Sequence, residues 1–179
     1  MSSDAAIVRL VLMGDQAAYA QLVDRHHARC LHAATHLLGD ADDAEDAVQD
    51  AFVRAYTHLG SYREQDRFGA WLLRIVVNQC RTRAAKQSRQ LRLQAFTSAP
   101  ALNDQHDDDT AARDRRAEVA YALSQLPDEQ REVIVLRFAE ELRYDEIAAI
   151  TGVGISALKM RVQRACTRLR ALLAAHRHS

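Results

Sequence analysis

The chain has 179 residues, room for one domain or two small ones, and its 24 basic side chains balance 24 acidic ones to a formal charge of zero. Three widely spaced cysteines, Cys30, Cys80 and Cys166, with no C-x-x-C, argue against a disulfide framework and suit a reducing compartment. No apolar run approaches membrane-spanning length and no basic start leads into one, so a soluble cytoplasmic protein without membrane insertion is expected.

The zero charge averages over segregated blocks. Asp40, Asp42, Asp43, Glu45, Asp46 and Asp50 follow one another without a lysine or arginine, whereas Arg81, Arg83, Lys86, Arg89 and Arg92 have no acid among them. Lys159 to Arg177 is likewise purely cationic. Two prolines and six glycines punctuate long helical patterns, and no stretch alternates with strand period. The expected fold class is all-α: two small helical domains joined by a flexible linker, the second containing a helix-turn-helix. The expected boundaries are 5–86, 87–114 and 115–175.

In chain order, "RHHARCLHAATH" comes first. His26 and Cys30 are four residues apart, as are His32 and His36, a helical spacing that can hold zinc or another transition metal. The 100° helical step turns the two pairs away from one another, so one four-ligand site is not expected, nor any metal or cofactor. In the acidic stretch that follows, Asp42 or Asp43 can cap a helix, with Glu45 and Asp46 in its favourable first turn. Ala44, Ala47, Val48, Ala51, Phe52, Ala55, Tyr56 and Leu59 form its buried stripe, leaving Asp46, Gln49, Asp50, Val53 and Arg54 outside. Capping needs two or three carboxylates, so an exposed face this acidic suggests a basic protein partner.

The next helix shows its apolar face at Phe68, Trp71, Leu72, Ile75 and Val76, with Asp66 as cap, and turns basic at Arg74, Arg81, Arg83 and Lys86. Those cations suit phosphates, and the nearby Tyr62, Phe68 and Trp71 are the rings that could stack on unpaired bases, although Trp71 at helical spacing also suits a core. Periodicity is lost from roughly Lys86 to Asp114, around "TSAPALNDQHDDDT", the expected linker. A further helix starts at Leu126-Pro127, with core positions Val133, Ile134, Leu136, Arg137 and Phe138. "YDEIAAITGVGISALKMRVQRACTRLRALL" then reads as helix-turn-helix. A short helix over Arg143–Thr151 buries Ile147, Ala148 and Ile150, and Gly152 serves the turn. The second helix buries Leu158, Val162, Ala165, Leu169 and Leu172. It turns Ser156, Ala157, Met160 and Gln163 toward base edges and Lys159, Arg161, Arg164, Arg168 and Arg170 toward phosphates.

The order of acidic helix, "FGAWLLRIVVN", linker, "LPDEQREVIVLRF" and "YDEIAAITGVGISALKMRVQRA" resembles the extracytoplasmic-function (ECF) sigma factors, bacterial transcription initiation factors, over almost the whole chain. The resemblance implies that the first module grips core RNA polymerase and melts and reads the −10 promoter element, and that the second reads the −35 element. Asp43, Glu45, Asp46, Gln49 and Asp50 match the polymerase-binding motif. Asn78 and the Tyr62–Phe68 loop match the segment that captures a flipped −10 base, and Lys159, Arg161 and Arg164 match the −35 reading helix. Promoter DNA, core polymerase and an anti-sigma factor are the implied partners. The chain departs from the family pattern at Arg67, Gly69, Ala157 and Met160, the last two leaving the promoter sequence open. With no extension past the −35 module, regulation by an attached domain is not expected. A stand-alone helix-turn-helix regulator is the alternative, but it leaves the acidic face unexplained. A metal-dependent enzyme lacks any nucleophile motif or acid–base pair, so no catalytic role is expected.

Overall fold

The structure is a computed structural model and describes residues 3–63, 67–94 and 110–176. Helices follow in order: α1 (Asp4–Leu12), α2 (Tyr19–Leu38), α3 (Ala41–Thr57), α4 (Phe68–Gln94), α5 (Thr110–Ser124), α6 (Asp128–Ile134), α7 (Tyr144–Thr151) and α8 (Ile155–His176). Among the described residues there is no strand.

The acidic helix starts earlier than its sequence suggests. Asp40, not Asp42 or Asp43, is the last extended residue, and its carboxylate accepts a hydrogen bond from the Asp43 N–H at 2.8 Å. Gly39 ends α2 at φ +76°, so the chain reverses in two residues and lays α3 against α2. The predicted stripe of α3 is buried apart from Tyr56, which is 38% exposed and meets Tyr19 edge-on at 5.0 Å. From α4, Leu72, Leu73, Val76 and Val77 are fully buried, each burial favouring folding by about 1.5–3 kcal/mol.

Helix runs into both ends of the stretch read as linker. Residues 86–94 contain no glycine or proline and consist of good helix formers, so α4 continues to Gln94. At the other end, α5 already begins at Thr110. The expected cap Asp66 and the centre of the linker lie outside the described residues.

Phe138 is a correction to the predicted core: it is 57% exposed. Residues Val135–Ala139 form a π turn, whose extra residue shifts the helical register and swings Phe138 outward. Leu142 is buried nearby, and its carbonyl accepts a hydrogen bond from Arg137 Nη1 at 3.1 Å. Ala148, also predicted buried, is half-buried.

Rather than standing apart, the two modules dock. One hydrophobic cluster runs from Ile7, Leu22 and Val76 through Val133 and Leu136 to Ile147 and Leu158. A smaller cluster joins Leu123, Leu126, Ile134 and Ala165 beneath α5 and α8.

Candidate functional site

On the outer face of α3, Asp46 and Asp50 remain 63% and 59% exposed, while Asp43 and Glu45 are half-buried. Arg83 reaches across from α4, placing Nη1 3.2 Å from Asp46 and Nη2 2.9 Å from Asp50. Burial disfavours the charge on Arg83, but the hydrogen bonds to Asp50 and Asp46 outweigh it, so its pKa is raised. Glu45 bonds His27 Nε2 at 3.2 Å and receives the Gln49 amide at 3.4 Å. The face is therefore pre-arranged by two cationic or polar clamps and stays net acidic.

A cleft of about 310 Å³ opens beside α4, lined among others by Trp71, Arg74 and Asn78 from α4 and by Arg54, His58 and Ser61 around the end of α3. It combines a half-buried ring, an amide and two exposed guanidinium groups, a set that fits a base and its phosphate. Arg54, His58 and Ser61 were missed by sequence reasoning, because only the packing of α3 on α4 and the turn Leu59–Ser61 bring them to the cleft. Phe68 is placed elsewhere: it is 2% exposed, packed among Tyr62, Trp71 and His26, so its ring props the cleft wall and presents no stacking surface. Gly69 brings the first turn of α4 close to α2; a Cβ there would stand 3.3 Å from Arg29 Nη1.

The helix-turn-helix forms where its sequence predicts, although Leu169 and Leu172, expected to be buried, are half-buried. Glu146 accepts from the Arg143 N–H at 2.9 Å at the start of α7. Gly152 at φ +73° donates to the Ala148 carbonyl at 2.8 Å and closes its end. Ile147, Leu158, Val162 and Ala165 are buried, whereas Ser156, Ala157, Lys159, Met160, Gln163 and Arg164 are exposed on α8. Met160 is 49% exposed. Lys159 Nζ sits 5.8 Å from the Tyr144 ring. Arg161 differs from its neighbours: it is half-buried and pairs with Glu129 of α6 at 2.9 Å.

Among the described residues, three arginine–carboxylate pairs join the modules. Arg81 grips Glu132 in a bidentate fork at 2.6 and 2.7 Å, the hydrogen bonds raising the arginine's pKa. Arg29 Nε meets Glu140 at 2.6 Å, and Arg67 meets Glu146 at 3.2 Å. The Glu146 end of α7 thus lies along a groove shared with Arg67, Trp71 and Arg74. Two of these acids had a readable signal: Glu132 and Glu140 flank Leu136 at four-residue intervals on an apolar stripe, where a carboxylate demands a partner.

The histidine stretch divides as predicted. His26 and Cys30 face inward, His26 bonding Asp4 at 2.8 Å, while His32 and His36 meet each other on the outer side of α2. Among the described residues, no three His, Cys, Asp or Glu side chains are grouped to hold a metal. Likewise, no described helix is long and apolar enough to cross a membrane.

The comparisons with known proteins agree with this arrangement. The Sigma-70 region 2 family model matches residues 22–90, and that for Sigma-70, region 4 matches residues 116–169. The ECF RNA polymerase sigma factor SigM of Mycobacterium tuberculosis is 37% identical over 96% of this chain and 85% of its own length. The ECF sigma-E factor of Escherichia coli K12 is 30% identical over 91% and 90%. Among solved structures, CnrH in complex with the cytosolic domain of CnrY superposes with TM-score 0.72 at 33% identity, covering 97% of this chain and 99% of that one. The sigma factor RpoE of Bartonella quintana, in complex with the anti-sigma factor NepR, gives 0.71 at 28% identity, covering 87% and 96%. The chain belongs to the ECF sigma factors, transcription initiation factors that direct core RNA polymerase to promoters.

Proposed function

We propose a division of labour among the surfaces described. Asp43, Glu45, Asp46, Gln49 and Asp50 form the polymerase contact; the observation that carries this is the exposure of Asp46 and Asp50 even while Arg83 holds them. Carboxylates serving only as caps would turn back onto the helix N-terminus. The cleft of Trp71, Arg74 and Asn78, walled by Tyr62 and Phe68, takes an unpaired −10 base: Asn78 reads its edge, Trp71 stacks, and Arg74 neutralises the backbone. Ser156, Ala157, Met160 and Gln163 read the −35 element, with Lys159 and Arg164 on phosphates. Arg81, Arg83 and Arg161 are held by Glu132, by Asp46 and Asp50, and by Glu129, so they join DNA only when those pairs open.

The docked arrangement is the resting form of the free chain. Its α7 borders the −10 cleft, and undocking on core polymerase would uncover that cleft and separate the two reading surfaces. An anti-sigma factor is a further partner on this reading, which the complexes of RpoE with NepR and of CnrH with CnrY support. The protein works in the cytoplasm and carries out no catalysis of its own. A library of promoter fragments, incubated with the chain alone and with core polymerase added, tests the whole reading. Sequence-specific retention should require polymerase; specific nanomolar binding by the chain alone would favour a stand-alone regulator.

A further inference from the structure

His32 and His36 lie one turn apart on α2, and their Nε2 atoms approach to 3.1 Å. Two imidazole nitrogens each about 2.0–2.1 Å from a common zinc ion, at a bite angle between square and tetrahedral, stand about 2.8–3.4 Å apart. The observed separation falls within that span. The other nitrogen of His32, Nδ1, faces the Glu140 carboxylate of the C-terminal module at 3.7 Å. With Nδ1 turned toward the acid, a shift of a few tenths of an ångström would let it donate there, leaving Nε2, which now shares a proton with His36, as the nitrogen that ligates; this is the orientation an outer carboxylate gives a metal-bound histidine. His32 is 56% exposed, so an ion has an open path and water can fill its remaining positions. Arg29 holds the second oxygen of Glu140 at 2.6 Å, so the cation nearest this site is itself compensated.

We infer that His32 and His36 form a two-ligand site for a divalent transition-metal ion of the zinc type, with Glu140 as its outer-shell partner across the module boundary. On binding, the ion replaces the proton between the two Nε2 atoms, and His36 moves its own proton to Nδ1. Because Glu140 reaches His32 only while the modules are docked, any gain in ion affinity from Glu140 returns as an equal preference of the ion for the docked form. The observation is independent of the DNA-binding assignments.

The test is calorimetric titration of the tag-free full chain with zinc chloride. One ion should bind saturably. Because His32 and His36 supply both protein ligands, His32→Ala and His36→Ala should each abolish saturable binding or weaken it at least tenfold, while His27→Ala and His58→Ala leave it unchanged. Glu140→Gln should weaken it about tenfold or more, the usual effect of losing an outer-shell carboxylate. Absence of saturable binding below about 1 mM, or binding undiminished in both His32→Ala and His36→Ala, overturns the site. Equal affinity in Glu140→Gln overturns the link between modules.

Discussion

Among the described arginine–carboxylate pairs between the modules, Arg29 with Glu140 has the most deeply buried acid. The Glu140 side chain is 2% exposed, and it accepts from Arg29 while lying near His32. Replacing Arg29 with alanine strands a buried carboxylate. The expected loss is about 2–4 kcal/mol, less than for a dry pair because Arg29 itself is partly wet. Thermal unfolding of Arg29→Ala, Glu140→Gln and the double variant checks it; the double variant should lose clearly less than the sum. Burial acts on thiols too, pushing Cys30 and Cys80 up to about 12, whereas Cys166 is half-buried. At about pH 8 a thiol reagent should therefore modify Cys166 alone in the native protein, and all three cysteines in denaturant. Prompt reaction at Cys30 would mean that α2 is packed differently. Individual positions were unevenly readable: Leu158 and Val162 follow from period, but the outward turn of Phe138 depends on a π turn that no local pattern announces.

The clamp between α3 and α4 rests on Arg83, which the sequence assigns to a basic block and the fold assigns to an acidic face. Charge periodicity locates each face on its own helix, but which faces meet depends on the crossing of α3 and α4. Asp46→Arg with Asp50→Arg should weaken binding to core polymerase at least tenfold, with helical content near wild type. Arg83→Ala leaves the acids in place and should retain binding; equal loss in both would mean that the clamp, and not the acidic face, matters. In α8 the pairing of Arg161 with Glu129 separates two arginines that look alike in sequence. Arg164→Ala should reduce the salt slope of promoter binding in holoenzyme by roughly one, and Arg161→Ala by less. Met160 offers no strong hydrogen bond, so Met160→Ser should change the selected −35 sequence at nearly constant slope. Identical selections would place Met160 outside the groove. The helix-turn-helix was readable because its glycine turn and apolar spacing are local, whereas the extension of α4 to Gln94 was obscured by reading the loss of apolar periodicity after Lys86 as a boundary.

Taken whole, the molecule holds the two surfaces proposed to read DNA in one docked form. α7 lines a groove that shares Trp71 and Arg74 with the cleft proposed for the −10 base, Glu146 pairs with Arg67, and one core spans both modules. Sequence showed two modules but gave no reason for them to dock; the reason is non-local, in the arginine–carboxylate pairs and the shared apolar seam between segments far apart in the chain. On the proposed reading, the docked state stores a preference that polymerase binding must exceed. Fluorescence transfer between dyes on Gln21→Cys in α2 and Thr167→Cys in α8, in a Cys166→Ser background, reads the module separation; both positions are exposed. Transfer should be high in the free chain and fall when core polymerase is added, and adding Asp46→Arg with Asp50→Arg should suppress the fall. Transfer unchanged in a complex that still forms and transcribes would contradict the account.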